Sequence, residues 1–296
     1  MAKAIKFYPP RQILAATDLG EASKAVMRQV EIFKSLFKSE ATLLYAQHFD
    51  VPPYFTESQI SFFVRELKAG QKTARKHIER WARQFSEEVP KILVREDPPA
   101  EAILSGAQEE QSDMIIIGTH GRNWIGRLWL GSVAENVIRQ ASIPVMIVPP
   151  KSNPGSIEKV VVLIDPENAG STPLDYALCL ASDAKARLVI LRMADGGKKR
   201  PPRPLGLKKI SAQCEIDEVV LEGDPAEAIL RTDNDWKPSL IVMGSTKSPA
   251  AFGASLSSVT AKVMHGTTVP LLIIPTRQKI LIESLVEAFN DRNPQN

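Results

Sequence analysis

The sequence is poor in several residue types and patterns that define whole classes of protein. Cysteine occurs twice in 296 residues, at Cys179 and Cys214, and neither has a second Cys or a His at metal-ligand spacing. Free thiols in a reducing compartment fit this pattern best. No apolar run approaches the roughly 20 residues of a membrane span. The N-terminus, MAKAIKFYPP, also lacks the apolar core of a signal peptide. We therefore predict a cytoplasmic protein with no membrane partner.

The sequence also has no large excess of positive or negative charge, because its formal net charge is only +3. Such a balance does not indicate a nucleic-acid partner. One basic, proline-rich stretch, residues 195–209 (DGGKKRPPRPLGLKK), is the exception. It contains no aromatic residue for base stacking, so a solvated loop is favoured over binding of nucleic acid or an acidic partner.

Sequence motifs of nucleotide-processing enzymes are missing as well. The chain has no G-x4-G-K-[ST] loop, no His-Ile-Gly-His motif and no Ser-Gly-Gly-x-Asp loop. A dedicated hydrolase or transferase would need an aligned base, a nucleophile or metal-holding carboxylates. We therefore predict a protein that is not an enzyme.

The sequence does contain an internal repeat. Residues 99–104 (PAEAIL) recur as residues 225–230, a shift of 126 positions (225 − 99), and the same shift relates Gly118 to Gly244 and Pro144 to Pro270. A constant shift over this distance indicates two copies of one fold. A length of 296 residues also suits two domains. We predict domains at 1–150 and 157–296, joined by a linker at 151–156.

Apolar runs in the first half predict five strands separated by helices. The predicted strands are residues 12–17, 41–47, 91–94, 114–117 and 145–148. A long helix, residues 58–87, is predicted between the second and third strands, opened by Thr56 and Gln59 and stopped by Pro90, with Trp81 and Phe85 in the core. This alternation predicts an α/β fold with a parallel sheet covered by helices on both faces.

Three glycines follow the fourth strand. Gly118, Gly121 and Gly131 precede Ser132, which is predicted to cap a helix in a capping box with Glu135. Backbone without a Cβ can approach a phosphate closely, and a helix N-terminus adds free N–H groups and partial positive charge. The pattern therefore fits polyphosphate binding, while a loop whose glycines only make turns remains the alternative.

A carboxylate, Asp18, follows the first strand. In an open α/β sheet, ligands bind beyond the carboxyl ends of the strands, where the strand order reverses. Asp18 could accept hydrogen bonds from a ribose or a base there, or it could cap the following helix.

The spacing Gly118-x2-Gly121-x9-Gly131-Ser132 resembles the nucleotide-binding signature of the universal stress protein family. The neighbouring Thr119-His120, the helix opening Gly131-Ser132-Val133-Ala134-Glu135 and the strand entry Ile143-Pro144-Val145 match it too. The resemblance implies two tandem doubly wound domains, each a five-stranded parallel sheet flanked by helices. It also implies that the first domain binds ATP, with Mg²⁺.

Carried over residue by residue, the resemblance implies one nucleotide site in the first domain. Asp97 stands where the family often has glycine, a departure on the ribose side of the pocket. The implied site residues are Thr17, Asp18, Ala46, Gly118, His120, Gly121, Arg122, Gly131, Ser132 and Val133.

The second domain has a degenerate form of the same motif. At the shift of 126, Gly121 becomes Lys247 and Gly131 becomes Ser257, so we expect one nucleotide per chain. The second domain also lacks the long helix, and residues 195–214 or a C-terminal helix within 278–296, with Leu281, Leu285 and Phe289 facing inward, are predicted to cover its sheet.

The last strand of each repeat is an apolar edge that needs a cover. In the family such strands pair across a two-fold axis, so the resemblance implies an intramolecular pseudo-dimer through residues 145–148 and 271–274; a homodimer is a further option. The predicted function is an ATP-binding stress-response or signalling module with weak ATP hydrolysis at most. A slow ATPase or nucleotidyl-transfer enzyme using Asp18 and His120, or an interaction scaffold independent of nucleotide, are the alternatives.

Overall fold

Ten strands and seven helices make up the described part of the chain. The computed structural model describes residues 7–47, 56, 70, 72–119, 131–152, 155–164, 172–193, 214–235, 237–245 and 258–275. The strands are β1 Gln12–Thr17, β2 Glu40–Ala46, β3 Lys91–Arg95, β4 Met114–Gly118, β5 Val145–Val148, β6 Lys159–Ile164, β7 Arg187–Met193, β8 Ile216–Leu221, β9 Leu240–Gly244 and β10 Leu271–Ile274. The helices are α1 Glu21–Phe37, α2 72–82, α3 Pro99–Glu109, α4 Ser132–Gln140, α5 Thr172–Ala184, α6 Pro225–Asp235 and α7 Ser258–Gly266.

All ten strands form one sheet in the order β3-β2-β1-β4-β5-β10-β9-β6-β7-β8. The strands within each half are parallel, and the two halves repeat the same order on either side of the centre. The predicted α/β fold with two tandem five-stranded parallel sheets is confirmed.

The two halves meet through their last strands. β5 pairs with β10 in antiparallel register, with Leu271 opposite Ile147 and Ile273 opposite Val145. Both strands are fully buried, so each covers the apolar edge that the other would expose. The predicted intramolecular pseudo-dimer through residues 145–148 and 271–274 is confirmed.

Helices cover both faces of the sheet. Helices α1, α2 and α5 pack on one face, and α3, α4, α6 and α7 pack on the other. Each face carries one apolar cluster that continues from the first half into the second. Continuous apolar strands are expected where both faces are buried, and burial of each large aliphatic side chain contributes about 1.5–3 kcal/mol. Within the described residues, no helix is long and apolar enough to cross a membrane.

The long helix of the first half ends earlier than predicted. The described part of α2 ends at residue 82, and residues 83–85 form a turn well before Pro90. The turn folds Phe85 back onto Trp81, with ring centroids 4.8 Å apart, and Ser86 accepts a hydrogen bond from Lys34 Nζ. The helix therefore ends before the proline, and the chain beyond it contacts α1 through Ser86. The predicted core position of Trp81 and Phe85 is confirmed.

Several predicted features lie outside the described residues. They are the start of the long helix after Thr56, residues 195–213 of the proposed sheet cover 195–214, and the C-terminal segment with Leu281, Leu285 and Phe289. Cys214, the last residue of the proposed cover, is buried. Both cysteines are free thiols, as predicted.

The segment before β1 forms a second link between the halves. Tyr8 lies edge-on against Phe37 of α1 and Tyr176 of α5, at centroid distances of 5.6 and 4.9 Å. Its hydroxyl donates a 2.7 Å hydrogen bond to Asp183 Oδ2 of α5. Burial and the neighbouring Asp183 carboxylate raise the pKa of Tyr8 well above its usual value, so the hydroxyl stays protonated and remains a donor.

This link predicts a graded loss of stability. Tyr8→Ala removes a ring from between two aromatic side chains and should lower the free energy of unfolding by about 3–5 kcal/mol. Tyr8→Phe removes only the hydrogen bond to a solvent-exposed Asp183 and should cost about 0.5–1.5 kcal/mol. Urea denaturation of both variants measures the difference. Equal losses in the two variants would show that the ring contributes little.

Candidate functional site

A crevice is expected where the strand order of the first half reverses. β1 lies between β2 and β4, so the chain winds outward in one direction through β2 and β3 and in the other through β4 and β5. The carboxyl ends of β1, β2 and β4 share one edge of the sheet. In doubly wound sheets this reversal point is the usual ligand-binding position.

At the end of β1, Thr17 and Asp18 form a tight turn into α1. Thr17 Oγ1 accepts the Leu19 N–H at 2.9 Å, and Leu19 adopts a left-handed conformation with φ 64°. Asp18 Oδ1 accepts both the Gly20 N–H at 2.8 Å and the Ser23 hydroxyl at 2.7 Å. Asp18 therefore anchors the first turn of α1, which is the structural role left open by the sequence.

The second oxygen of Asp18 is not used by this turn. Asp18 Oδ2 is buried and has no hydrogen-bond partner among the described residues. A buried acceptor of this kind is costly unless a ligand or water satisfies it. The carboxylate thus serves the fold through one oxygen and leaves the other for a donor from outside.

The end of β2 lies beside the end of β1, because Thr17 and Tyr45 are register partners. Ala46 is the last residue of β2 and is half-buried. Gln47 follows it, with its N–H donating to the Arg95 carbonyl at 2.6 Å and its buried Oε1 unpartnered within the described part of the chain. Gln47 was not predicted as a site residue, although it is the first polar side chain after an apolar strand. Asp97, beyond β3, is exposed.

At the end of β4, backbone hydrogen bonds hold both ends of the glycine loop. The Thr119 N–H donates to the Val148 carbonyl at 3.2 Å, and the Gly131 N–H donates to the Thr119 carbonyl at 2.8 Å. Thr119, which follows Gly118 and was named in the family resemblance but not as a site residue, is therefore bonded to Gly131 and is a buried residue of the loop base. His120, Gly121 and Arg122 lie outside the described residues.

The predicted capping box at α4 is wrong. Gly131, not Ser132, is the N-cap residue, and no side chain makes a capping hydrogen bond. Ser132 is the first helical residue and is exposed, and Glu135 pairs with Arg139 one turn later instead of reaching back. Because no side chain caps this end, the first N–H groups of α4, at Ser132 and Val133, have no acceptor within the helix. N–H groups at such a helix N-terminus can bind an anion.

The second half repeats the strand ends but differs around them. The Ser245 N–H donates to the Ile274 carbonyl at 2.9 Å, which matches the Thr119–Val148 bond of the first half. Asp224 caps α6 by accepting the Ala226 N–H at 2.8 Å and binds Lys262 Nζ of α7, also at 2.8 Å. The hydrogen bond from Lys262 holds the pKa of Asp224 below its usual value. Lys247 and Ser257 lie outside the described residues.

A protein-bound metal has no ready set of ligands here. Among the described residues, no group of three or more His, Cys, Asp or Glu side chains is placed to hold a metal ion. Asp18 is a single carboxylate with one oxygen already engaged. Any Mg²⁺ at this edge would therefore depend largely on phosphate oxygens for its ligands.

Comparisons with known proteins agree with this geometry. One curated relative is the universal stress protein MJ0577 of Methanocaldococcus jannaschii, 28% identical over 158 residues, which covers 48% of the present chain and 97% of that protein. Another is a universal stress protein of Mycolicibacterium smegmatis, 23% identical over 292 residues, which covers 90% of the chain and 97% of that protein.

Solved structures show the same two-domain arrangement. A universal stress protein from Archaeoglobus fulgidus superposes with a TM-score of 0.72 at 20% identity, covering 91% of the present chain and all of that one. The sequence model of the universal stress protein family matches the chain twice, at residues 10–149 and 156–275. The chain therefore belongs to the universal stress protein family and carries two tandem copies of its domain.

Proposed function

We propose that the chain is a stress-response module whose first half binds one molecule of ATP. The observation that carries the proposal is the pairing of two unsatisfied groups at the point of strand reversal. One is the buried, unpartnered Asp18 Oδ2, and the other is the uncapped N-terminus of α4. The first suits a neutral hydrogen-bond donor and the second suits an anion, and a nucleotide supplies both.

The nucleoside would lie against the ends of β1 and β2. Asp18 Oδ2 is placed to accept a hydrogen bond from a ribose hydroxyl or a base amino group, and Gln47 Oε1 offers a second buried acceptor. Ala46 would face the base through its backbone, as the family resemblance implies. Leaving a buried acceptor unsatisfied costs about 1–3 kcal/mol, so a donor from the ligand would remove that penalty.

The phosphates would lie between the glycine loop and α4. The N–H groups of Ser132 and Val133 and the helix dipole would act on them, and Gly131 would keep the approach free of a side chain. Gly118 closes the other side of the loop base. His120, Gly121 and Arg122 complete the set by resemblance, and Mg²⁺ would arrive with the nucleotide.

Binding of one nucleotide per chain is measurable directly. Calorimetric titration with Mg·ATP should give a stoichiometry near one. Asp18→Asn keeps a side-chain oxygen for the turn but replaces a carboxylate acceptor, and should weaken ATP binding by about ten- to a hundredfold. Competition with cyclic AMP, which has a single phosphate, measures how much the other phosphates of ATP contribute to the affinity. Two equivalent sites, or full binding by the Asp18 variant, would contradict the proposal.

Binding without efficient turnover is part of the proposal. The described edge offers one half-engaged carboxylate and no metal cluster, which is a weak arrangement for catalysis. Phosphate release above background that Asp18→Ala abolishes would favour the enzyme alternative instead. Partner capture that is unchanged with and without ATP would favour the scaffold alternative.

A further inference from the structure

The two halves correspond residue by residue over their first elements. A shift of 147 positions (159 − 12) relates β1 to β6 and β2 to β7 at both ends, and it also relates the last residue of α1, Phe37, to the last residue of α5, Ala184. The residues after these helices, Lys38 and Lys185, share a left-handed conformation. Structurally equivalent sites can therefore be compared directly.

In one of these sites an aromatic ring fills the seam between α1 and α5. Tyr8 packs between Phe37 and Tyr176 and donates a hydrogen bond to Asp183. Only 8% of Tyr8 is exposed. The seam at this end is closed by a phenol ring with a hydrogen-bonded hydroxyl.

At the other end of the seam, none of the equivalent positions carries an aromatic residue. In the order Tyr8, Phe37, Tyr176 and Asp183, the equivalents at the shift of 147 are Gly155, Ala184, Gln29 and Leu36. A Cβ placed on Gly155 would meet no atom within 4 Å. All three aromatic side chains are thus absent from this end, and Gly155 and Ala184 leave open space in place of the Tyr8 and Phe37 rings.

That space is an open groove of about 580 Å³ between the halves. Its size lies in the range of small-molecule sites. The apolar part of its wall is formed by Ile32, Leu36, Phe85, Ile157 and Ala184, and Arg28, Glu31, Ser35, Gly155 and Ser156 complete it.

Charge at the groove favours an anion. Arg28 is exposed and makes no hydrogen bond or ion pair within the described residues, whereas the nearby Glu31 is already paired with Lys34. The groove thus joins an apolar wall to an unpaired cation.

We propose that this groove binds a small aromatic anion. Its ring would occupy the space equivalent to that of the Tyr8 ring, and its negative charge would lie at the Arg28 guanidinium. The site is distinct from the nucleotide crevice, because it lies on the seam between α1 and α5 and not at the carboxyl ends of the strands. A ligand here would touch both halves at once.

The first experiment uses the full chain and two probes that differ in charge. 4-Hydroxyphenylacetate carries a phenol ring and a carboxylate, and 4-methylphenol carries the ring alone. Ligand-observed NMR titration should give saturable binding of the anion with a Kd of about 1 mM, given its size. Arg28→Gln should weaken the anion about five- to tenfold and leave 4-methylphenol unchanged. The matched control Lys72→Gln removes an exposed cation outside the groove and should change neither.

The second experiment fills the groove from within. Ala184→Phe restores the residue type that Phe37 provides at the other end, and should abolish binding of both probes. Gln108→Phe places the same ring on the exposed surface of α3, on the opposite face of the sheet, and should leave binding intact.

Three results would overturn the proposal. They are no saturable binding up to about 10 mM anion, tenfold above the expected Kd, binding that survives Ala184→Phe, or equal loss of both probes in Arg28→Gln. A wild-type dimer that Ala184→Phe converts to monomer would also overturn it, since the groove would then hold a second copy of the chain.

Discussion

Replacing Gly131 with valine is expected to leave the fold intact and to weaken ATP binding at least about a hundredfold. Gly131 has φ −63° and ψ 138°, an extended conformation that a β-branched residue adopts without strain. Its structural contribution is a backbone N–H that donates to the Thr119 carbonyl, and valine keeps that bond. The backbone conformation therefore does not require glycine at this position. We expect the glycine to matter because it has no side chain to block a ligand.

The effect on binding follows from where that side chain would stand. Gly131 immediately precedes the free N–H groups of α4, so a valine there would lie on the proposed path of the phosphates. Gly131→Ala should fall between wild type and Gly131→Val, because it adds one methyl group. Titration calorimetry gives the affinities, and thermal unfolding without nucleotide checks that the fold is unchanged.

The second half supplies the matched control. Ser257 occupies the position of Gly131 at the shift of 126, and Ser257→Val should leave the affinity and the stoichiometry of one unchanged. Loss of binding in the Ser257 variant would mean that the second half holds the nucleotide, and retention of binding in Gly131→Val would contradict the placement of the phosphates at Gly131.

The sheet could be predicted from sequence because its signals are local and repeated. β5 and β10 were predicted at their observed bounds, since a short apolar run after proline usually forms a buried strand. The repeat at a shift of 126 then allowed the strands predicted in one half to be compared with those predicted in the other. The pairing of the two strands followed from the family resemblance and from the need to cover apolar edges, and not from any local pattern.

The predictions that failed depended on side-chain contacts that the predicted patterns did not include. Ser132 and Glu135 have the spacing of a capping box, but Arg139 lies one turn further on and binds the same carboxylate. The helix before Pro90 ends earlier than predicted, and the chain beyond it contacts α1 through Ser86 and Lys34. In both cases the sequence pattern is present, but the observed structure includes side-chain contacts outside the pattern.

The burial of single polar groups could not be predicted from the sequence either. The free oxygen of Asp18 and that of Gln47 become visible only when the strand ends are placed side by side. Helix α5 shows the same difficulty on a larger scale, because its residues from Pro173 to Ala181 are all buried, including an aspartate. A helix packed on a sheet and against the other half has no solvent-facing stripe there to reveal in its sequence.

Because of this buried aspartate, Asp175, we expect the free energy of unfolding to fall as the pH rises from about 4 to about 7. Asp175 is fully buried, and neither carboxylate oxygen has a hydrogen-bond partner among the described residues. Burial raises its pKa from 3.8 to about 7. The folded protein therefore keeps this proton in a range where the unfolded chain has released it.

The sign of the effect follows from proton linkage. Where the folded state binds more protons than the unfolded state, the free energy of unfolding decreases with rising pH. The benefit is fully present below pH 3.8 and is lost once the pH passes about 7. A shift from 3.8 to about 7 corresponds to a loss of up to about 4 kcal/mol at about 1.4 kcal/mol for each pH unit.

Asp175→Leu should remove this dependence and stabilise the protein at pH 8 by as much as a few kcal/mol, since a buried carboxylate is replaced by an apolar side chain of similar size. Urea denaturation at pH 5, 6, 7 and 8 should show the wild type losing stability relative to the variant across the series. Subtracting the two curves cancels every ionisation that the two proteins share. Glu101→Gln, at an exposed position of α3, is the control and should follow the wild-type curve. Parallel curves for Asp175→Leu and wild type would show that the carboxylate finds a partner or water in solution and ionises as an ordinary aspartate.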